Sequence, residues 1–420
     1  MIRVDGPYLY VGCFKAEELA HRFGTPLYVY DVETLVGNYR RLIDSIPYRD
    51  VEILYSCKAN NNLGILKTLK DLGCGLDAVS PWEALLGVRL GFPIRKILFT
   101  GNNVTDDDMM LVRGELGVLV NIDSIPQLKR YGRLFPGTEV SLRVNPGMGA
   151  GHHEYVVTGG ITKFGIYPNQ VEKAKELAKG YGLKIVGLHM HIGSGLLDPT
   201  PYLRALRTLL EIGKGFKELE FIDVGGGFGL PYRPREEPLN LTELGSGIAN
   251  LLEEFTRKYG PVRLRMEPGR YIVGNAGVLF VRVIEVKEAE VDGVRKVFIG
   301  VDSGMNHLIR PALYGAYHEV IPASKADHPK EVRADIVGNI CESGDVLASD
   351  RSLPGLEEGD ILAIMDVGAY GYSMSTNYNT RPRPAEVIVH GGEVRLTRRR
   401  ETFDDLLRTS VLDDLILFLR

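Results

Sequence analysis

The sequence predicts an α/β fold: a (β/α)8 barrel of the TIM type, followed by a β-rich domain that also includes the N-terminal segment. Two observations support this prediction. Eight short β-branched runs, each preceded by a stretch of helical period, lie within residues 31–275. After about residue 275 the helical period stops and strand-like alternation replaces it. We therefore expect a barrel over residues 31–275 and a second domain made of residues 1–30 and 276–420.

The eight strand-like runs predict the number of strands in the barrel. They are Val51–Cys57, Gly75–Val79, Lys96–Thr100, Val118–Ile122, Glu139–Val144, Lys184–Ile192, Leu219–Val224 and Val262–Met266. Helical faces precede them, such as Glu33–Ile46 before the first run. Eight helix–strand pairs are typical of a closed barrel. The alternative is an open doubly wound sheet, which usually has fewer strands and a G-x-G-x-x-G turn that this sequence lacks.

The region after residue 275 predicts a sheet. Val278–Ala289 and Val294–Val301 alternate around Asp292-Gly293, which is a hairpin signal. Further strands are predicted at Ile361–Met365, Ala385–Val389 and Val394–Thr397, with Gly391-Gly392 between the last two. A final helix is predicted at Phe403–Leu419.

Composition excludes several classes of function. The 50 basic and 54 acidic residues leave a net charge of −4, which gives no basic field for nucleic acid or anionic lipid. No apolar run reaches the roughly 18 residues of a membrane span, and the N-terminus lacks the pattern of a signal peptide. The cysteines at 13, 57, 74 and 341 lie far apart, so neither disulfides nor a metal site are expected. We expect a cytoplasmic protein with a small-molecule ligand.

Polar residues and glycines follow the predicted barrel strands, at the end where functional sites of such barrels lie. They are Lys58, Asp77, Asn145, His189, His191, Gly225–Gly227 and Glu267. Any one of them is as readily a solvated loop residue. Together they supply an amine, carboxylates, imidazoles and a glycine loop, a combination that suits a phosphorylated aldehyde cofactor. For His189 alone, a structural role beside His191 is favoured.

Three of these positions carry specific chemistry. Desolvation of Lys58 would favour the neutral amine that condenses with an aldehyde, although most lysines at strand ends are surface charges. Gly225–Gly227 leaves backbone N–H groups open to a phosphate, or simply forms a tight turn. Glu267–Arg270 holds a carboxylate and a guanidinium within four residues, which suits a protonated pyridine nitrogen and an anionic group, or a surface ion pair.

These motifs resemble those of pyridoxal-phosphate enzymes of the alanine-racemase/ornithine-decarboxylase barrel class, and most closely its diaminopimelate decarboxylase branch. The resemblance covers nearly the whole chain. The motifs occur in the order Tyr55–Asn60, His189–Ser194, Asp223–Gly227, Glu267–Arg270, Met305–Tyr314, Cys341–Asp345 and Gly368–Gly371 with Asn377–Arg383. The resemblance implies decarboxylation of meso-2,6-diaminopimelate to L-lysine and CO2, the last step of lysine biosynthesis by that route, with pyridoxal 5'-phosphate as cofactor.

The resemblance also implies roles for individual residues. The catalytic pair is Lys58, which attaches the cofactor, and Cys341, the general acid. The implied cofactor-binding residues are Lys58, Asp77, His191, Ser194, Gly227, Glu267, Pro268, Gly269, Arg270 and Tyr370. The implied substrate-binding residues are Arg270, Arg310, Tyr314, Glu342 and Tyr370. Within these sets His191 stacks on the pyridine ring and Glu267 pairs with the ring nitrogen.

Assembly and fine specificity are further implications of the resemblance. In this family the segment corresponding to Cys341–Glu342 reaches the active site of the other subunit, so a homodimer with shared sites is expected. One loop departs from the family pattern, because Gly151-His152 stands where relatives often carry a lysine and a threonine. The segment 158–165 is also about one residue short. Both changes affect the expected substrate specificity and leave the expected cofactor unchanged.

Three other functions are distinguishable by residue. An amino-acid racemase of this class would have an arginine in place of Glu267 and would lack the Cys341–Asp345 motif. A non-catalytic pyridoxal-phosphate carrier would need only the barrel. A decarboxylase of ornithine, lysine or arginine has no distal carboxylate to bind, and so has little use for both Arg270 and Arg310.

Overall fold

A computed structural model describes residues 1–411, which form parts of two compact units. The barrel unit comprises Val32–Ala276 and Gly368–Ser373. The β-rich unit comprises Met1–Asp31, Gly277–Val367 and the segment from Met374 onward. Residues 368–373, which the sequence assigned to the second domain, therefore cluster with the barrel. The reason is local: the backbone N–H of Tyr370 donates to the carbonyl of Ala59 at 2.8 Å. The division into functional domains stays a prediction.

The N-terminal segment forms part of the β-rich unit. Its elements are β1 (Ile2–Asp5), β2 (Tyr8–Val11), β3 (Phe14–Lys15), α1 (Ala16–Phe23) and β4 (Leu27–Asp31). The first three strands make an antiparallel sheet. Helix α1 begins where Glu18 accepts the backbone N–H of Lys15 and ends at Gly24, whose φ of 72° favours glycine.

Eight parallel strands close into the predicted barrel. They are β5 (Val51–Ser56), β6 (Gly75–Ala78), β7 (Ile97–Phe99), β8 (Leu119–Ile122), β9 (Glu139–Arg143), β10 (Lys184–His189), β11 (Phe221–Asp223) and β12 (Arg263–Met266). Each strand pairs with its successor, and β12 closes on β5 with Leu264 opposite Val51. Every strand lies within one of the eight predicted runs, so the predicted fold class is confirmed.

A helix precedes each barrel strand. These helices are α2 (Val32–Asp44), α3 (Leu63–Asp71), α4 (Pro81–Arg89), α5 (Asp106–Met109), α6 (Ile125–Leu134), α7 (Val171–Gly180), α8 (Thr200–Gly213) and α9 (Leu241–Tyr259), with the short α10 (Arg270–Val273) after the last strand. Ser80, Ser124 and Asn240 cap α4, α6 and α9 by accepting backbone N–H groups. A π-helical turn, Met110–Glu115, extends α5.

The β-rich unit is built on one nine-stranded sheet. Its remaining strands are β13 (Gly277–Val291), β14 (Val294–Val301), β15 (Val320–Pro322), β16 (Val332–Val337), β17 (Val346–Leu353), β18 (Ile361–Ile364), β19 (Ala385–His390) and β20 (Glu393–Arg398). Strand β4 lies between β13 and β19, which explains why the N-terminal segment belongs to this unit. The predicted hairpin is confirmed, with Asp292 and Gly293 at φ of 52° and 76°.

Two short helices complete this unit, α11 (Arg310–Tyr314) and α12 (Phe403–Leu407). The prediction of one helix over Phe403–Leu419 is wrong at residues 408–411, which are not helical. Thr409 and Ser410 have side chains that compete for backbone hydrogen bonds and favour helix ends. Residues 412–419 of that prediction lie outside the described residues. Within residues 1–411, every helix is too short or too polar to cross a membrane.

Candidate active site

Buried polar side chains gather at the C-terminal ends of the barrel strands. The strand register places His189 of β10 opposite Arg143 of β9 and Asp223 of β11. All three are at most 5% exposed, and Glu267, which follows β12, is 4% exposed. Burying so many ionisable groups is costly unless they pair with one another or with a ligand. This end of the barrel is therefore the candidate site.

Lys58 lies on the single helical turn Cys57–Ala59 that follows β5. Its Nζ is 3.7 Å from Oδ2 of Asp77, and its side chain is 38% exposed whereas Asp77 is 1% exposed. Ser56 Oγ lies 2.9 Å from the same oxygen of Asp77 and fixes it. The amine therefore projects from a rigid strand end toward a buried carboxylate.

The charge of Lys58 differs from the sequence expectation. Burial lowers its pKa, but the neighbouring Asp77, Tyr370 and Glu267 outweigh burial, so the pKa is raised from its usual value. Desolvation favours the neutral amine, as predicted, but the neighbouring groups reverse the net shift in favour of the charged amine. The sequence could not show it, because Asp77 is 19 positions away along the chain.

Glu267 is held by an unexpected partner. Its Oε2 lies 3.0 Å from Nε2 of His189, and its Oε1 is buried without a hydrogen-bonding partner among residues 1–411. Burial lowers the pKa of His189 to about 4, so the imidazole is neutral near pH 7. Burial and then Asp77 raise the pKa of Glu267 well above its usual range. The expectation that His189 only neighbours His191 missed this contact.

The glycine run packs tightly against both flanking loops. A Cβ on Gly226 would lie 2.2 Å from the carbonyl oxygen of Glu267, and one on Gly225 would lie 2.3 Å from that of Met190. Side chains are thus excluded by backbone packing alone. The backbone N–H of Gly226 also donates to Nδ1 of His191 at 3.1 Å, and burial lowers the pKa of this histidine. The loop therefore orients a neutral imidazole at the site.

Arg270 is the first residue of α10, and its guanidinium forms hydrogen bonds with residues of two loops. Its Nη1 donates to the hydroxyl of Tyr232 at 2.9 Å, and its Nη2 lies 3.1 Å from Oγ of Ser194. Its guanidinium carbon is 5.0 Å from the ring centroid of Tyr370, a residue at a φ of 57° that favours glycine. No sequence motif indicated Tyr232, which lies in an irregular loop.

The predicted site residues fall into two groups. The ten proposed cofactor residues all lie in the barrel unit, whereas Arg310, Tyr314, Cys341 and Glu342 lie in the β-rich unit. Arg310 is 1% exposed, and its Nη1 lies 3.0 Å from Nε2 of His318. Cys341 is exposed, and its backbone N–H donates to Oδ1 of Asn379 at 3.0 Å.

Several polar residues of the two units were not assigned individual roles from the sequence. Arg143, Asp223 and Tyr232 belong to the barrel unit, and His318 and Tyr378 belong to the β-rich unit. Signals existed for three of them, because Arg143 and Asp223 end predicted strands just as His189 does, and Tyr378 lies within the Asn377–Arg383 motif. Tyr232 and His318 lie in loops without periodicity.

Comparison with known proteins places this geometry in a family. The family model described as "Pyridoxal-dependent decarboxylase, pyridoxal binding domain" matches residues 32–274. The diaminopimelate decarboxylase of Methanothermobacter thermautotrophicus is 47% identical, over 96% of both chains. The chain belongs to the diaminopimelate decarboxylase family of pyridoxal-dependent decarboxylases. The family resemblance found in the sequence is thereby confirmed.

Solved structures agree with this assignment. Diaminopimelate decarboxylase from M. jannaschii, solved with L-lysine, matches with a TM-score of 0.90 at 34% identity, covering 98% of each chain. The Helicobacter pylori enzyme, also complexed with L-lysine, matches with a TM-score of 0.85 at 34% identity, covering 93% of this chain and 98% of that one. Both agree with the observed barrel and separate sheet.

The barrel site fits the family's cofactor, pyridoxal phosphate. Lys58 supplies an amine at a strand end, and Glu267 keeps one buried oxygen without a partner in the described part of the chain. A pyridine N–H is a donor that such an oxygen requires. The Gly227 backbone, Ser194 and Arg270 supply N–H and O–H donors of the kind that bind phosphate.

Proposed function

We propose that this chain decarboxylates meso-2,6-diaminopimelate to L-lysine and CO2 with pyridoxal phosphate. The observation that carries the proposal is that one barrel site contains both the Lys58 amine, which lies beside Asp77, and a buried Glu267. The Oε1 atom of Glu267 has no hydrogen-bonding partner in the described chain. When bound, the cofactor supplies an electron sink for the bond that breaks to release CO2. Family membership and the L-lysine complexes of solved relatives support the choice of substrate.

Different residues of the barrel bind different parts of the cofactor. Lys58 is the point of covalent attachment, and Asp77 Oδ2, 3.7 Å away, stabilises the protonated form of the free amine. Glu267 presents a carboxylate to the ring nitrogen. His191, held through Nδ1 by Gly226, is the imidazole that stacks on the ring. Ser194, Gly227 and the Glu267–Arg270 turn hold the phosphate and the ring.

Removing the Asp77 charge is expected to change the pH dependence of cofactor attachment. Asp77 raises the pKa of Lys58, so Asp77→Asn should lower that pKa, and the reactive neutral amine should form at lower pH. The rate of borohydride-trapped cofactor attachment, followed from pH 6 to 10, measures this. Asp71→Asn is the matched control, because Asp71 is an exposed partner of Lys67 on α3. A profile that is unchanged, or displaced to higher pH, contradicts the assignment.

The far end of the substrate explains the second group of residues. Meso-diaminopimelate carries both a carboxylate and an ammonium on its distal carbon, whereas L-lysine and L-ornithine carry only the ammonium there. Arg270, Arg310 and Tyr314 suit the carboxylate, because guanidinium groups bind carboxylates with two hydrogen bonds. Glu342 suits the ammonium. Tyr370 completes the substrate set and also contacts the cofactor.

Cys341 is the proposed general acid. Its Sγ donates the proton that replaces the lost carboxyl group on the α-carbon. The exposed position of Cys341 and Glu342 leaves both side chains accessible to a second subunit. We propose a homodimer in which this segment completes the partner's site. The four cysteines are all free thiols, which supports a reducing compartment, the cytoplasm.

Cys341→Ala is expected to slow turnover by about 10²–10⁴-fold, the contribution of a positioned general acid, with little change in cofactor binding. Mixing this variant with Lys58→Ala should restore partial activity, because hybrid dimers contain one intact site. Cys13→Ala, at an exposed cysteine in the same unit, is the control. Failure of rescue after proven subunit exchange would show that each chain holds a complete site.

The substrate assignment is tested by measuring activity on a panel of amino acids. Release of CO2 from meso-diaminopimelate, L-lysine, L-ornithine and L-arginine should favour meso-diaminopimelate by about 10⁴-fold in kcat/KM, because sites built to bind a polar group reject analogues that lack it. The same reactions should be examined for the D-enantiomers. Preference for ornithine or lysine would place the chain with the other decarboxylases, and racemisation without CO2 would make it a racemase.

A further inference from the structure

Three buried side chains behind the proposed cofactor form one compact group. His189, Asp223 and Glu267 each place a nitrogen or oxygen atom within 4.8 Å of the other two. His189 Nε2 lies 3.0 Å from Glu267 Oε2, and Asp223 Oδ1 accepts the backbone N–H of Gly225 at 2.9 Å. His189 Nδ1 and Asp223 Oδ2 have no hydrogen-bonding partner in the described structure. His189 and Asp223 are outside the assigned catalytic and binding residues.

Lys58, Arg143 and Arg265 lower the pKa of Glu267, but burial and Asp77 outweigh them. The nearby cations each have a carboxylate of their own, with Arg143 3.5 Å from Asp123, Arg265 2.8 Å from Glu52 and Lys58 3.7 Å from Asp77. Asp223 and Glu267 remain, close together and fully enclosed. Two carboxylates at such a separation do not both ionise readily, so the pair retains a proton.

We propose that His189 is a positioning residue that fixes Glu267 as a carboxylate facing the cofactor's ring nitrogen, while Asp223 holds the retained proton. This inference rests on the proposed function. His189 donates Nε2–H to Glu267 Oε2, which stabilises the anion there. Oε1 of Glu267 stays available to accept the ring N–H. Asp223 Oδ2 is the protonated oxygen, because Oδ1 already accepts a backbone N–H.

Burial and charge leave one proton on this carboxyl pair, and the His189 hydrogen bond places it on Asp223. Burial raises the pKa of both carboxyls well above the usual range, and the next cause is Glu267 for Asp223 and Asp77 for Glu267. Burial lowers the pKa of His189 to about 4, while Asp223 raises it and Arg143 lowers it. Asp77 and Lys58 are the other charged groups that act on this imidazole, and their effects oppose each other. A neutral His189 between a carboxylate and a carboxylic acid is therefore stable across neutral pH.

The first experiment observes the proton directly. In the full-length chain without cofactor, labelled with ¹⁵N-histidine, His189 should show one neutral Nε2–H tautomer from pH 6 to 8. Its resonance is assigned by its loss in His189→Gln. A doubly protonated ring, or a ring protonated at Nδ1, would overturn the proposal. This measurement is independent of catalysis and of the substrate.

The second experiment compares isosteric pairs in the holoenzyme. Gln at 189 keeps an N–H donor and Leu removes it, so His189→Leu should lower kcat by about 10–100-fold, the worth of a hydrogen bond to a charged group, with KM changed by less than about threefold. His189→Gln should recover most of this loss. Glu267→Gln mimics a protonated carboxyl and should impair turnover far more than Asp223→Asn, which mimics the proposed acid. His328→Leu, at an exposed histidine, should be unchanged.

A spectroscopic readout separates positioning from structure. The pKa of the bound cofactor's ring nitrogen, followed by ¹⁵N NMR with ring-labelled cofactor, should fall in His189→Leu and Glu267→Gln, because the ring-nitrogen proton loses its anionic acceptor. It should stay near the wild-type value in His189→Gln. Thermal unfolding shows whether each variant folds. If His189→Leu does not fold, the titration of His189→Gln tests the proposal, and a value clearly different from the wild type would overturn it. A folded His189→Leu with wild-type kcat and an unchanged titration would overturn the proposal.

The outcomes also separate this inference from the proposed function. A wild-type chain that binds the cofactor and shows the His189-dependent titration, but does not release CO2 from meso-diaminopimelate, retains the inference and loses the substrate assignment. If the wild-type chain decarboxylates this substrate and His189→Leu behaves as the wild type does, the proposed function stands and only the role of His189 is wrong.

Discussion

Replacing Lys58 by alanine is expected to remove covalent cofactor attachment and to lower kcat by about 10³-fold or more, because the covalent step and its proton transfers lose their amine. Lys58 is the amine that lies 3.7 Å from the buried Asp77. In the wild type, borohydride reduction should block tryptic cleavage after Lys58. The labelled peptide should then span residues 50–67, and it should be absent from the variant.

A matched control separates this effect from a general loss of charge. Lys67 lies nine residues further along, exposed on α3 and paired with Asp71 at 2.9 Å, a surface pair that contributes little to stability. Lys67→Ala should therefore keep cofactor attachment and turnover. Label on a lysine other than Lys58, or a Lys58→Ala variant that turns over at the wild-type rate, would remove Lys58 from its proposed role.

The barrel was predictable because its strands are buried on both faces. Such strands are continuous β-branched runs, and the eight runs match the eight observed strands to within a few residues. The second sheet was only partly predictable. Strands β15, β16 and β17 lie among irregular segments, and β15 pairs with β18 and β16 with β14 across long intervening stretches of chain. Long-range pairing of this kind leaves no local period.

The positions of site residues were easier to predict than their electrostatics. Lys58, His191 and Glu267 end predicted strands, and that position alone directs them to one end of the barrel. The raised pKa of Lys58 and the contact between His189 and Glu267 depend on distances between strands. His189 and Glu267 are 78 residues apart in the chain, so no local pattern indicates their contact.

Removing Arg310 is expected to have the largest effect on substrate choice. Arg310 begins α11, is 1% exposed, and is aligned by His318, whose Nδ1 lies 2.8 Å from the carbonyl oxygen of Met365. Since Nδ1–H donates to that carbonyl, Nε2 of His318 accepts from the guanidinium. A buried guanidinium held in this way is suited to a single carboxylate. We assign it to the distal carboxylate of meso-diaminopimelate.

Arg310→Met should lower kcat/KM for meso-diaminopimelate by about 2–5 kcal/mol, or roughly 30- to 5,000-fold, the cost of breaking a buried charge pair. Residual activity on L-lysine, which has no distal carboxylate, should change much less. Arg333→Met, at an exposed arginine paired with Asp350 in the same unit, is the control. Thermal unfolding shows whether Arg310→Met folds, and the ratio of the two substrates' kcat/KM is insensitive to a partly unfolded fraction. An unchanged ratio would mean that Arg310 does not bind the distal carboxylate.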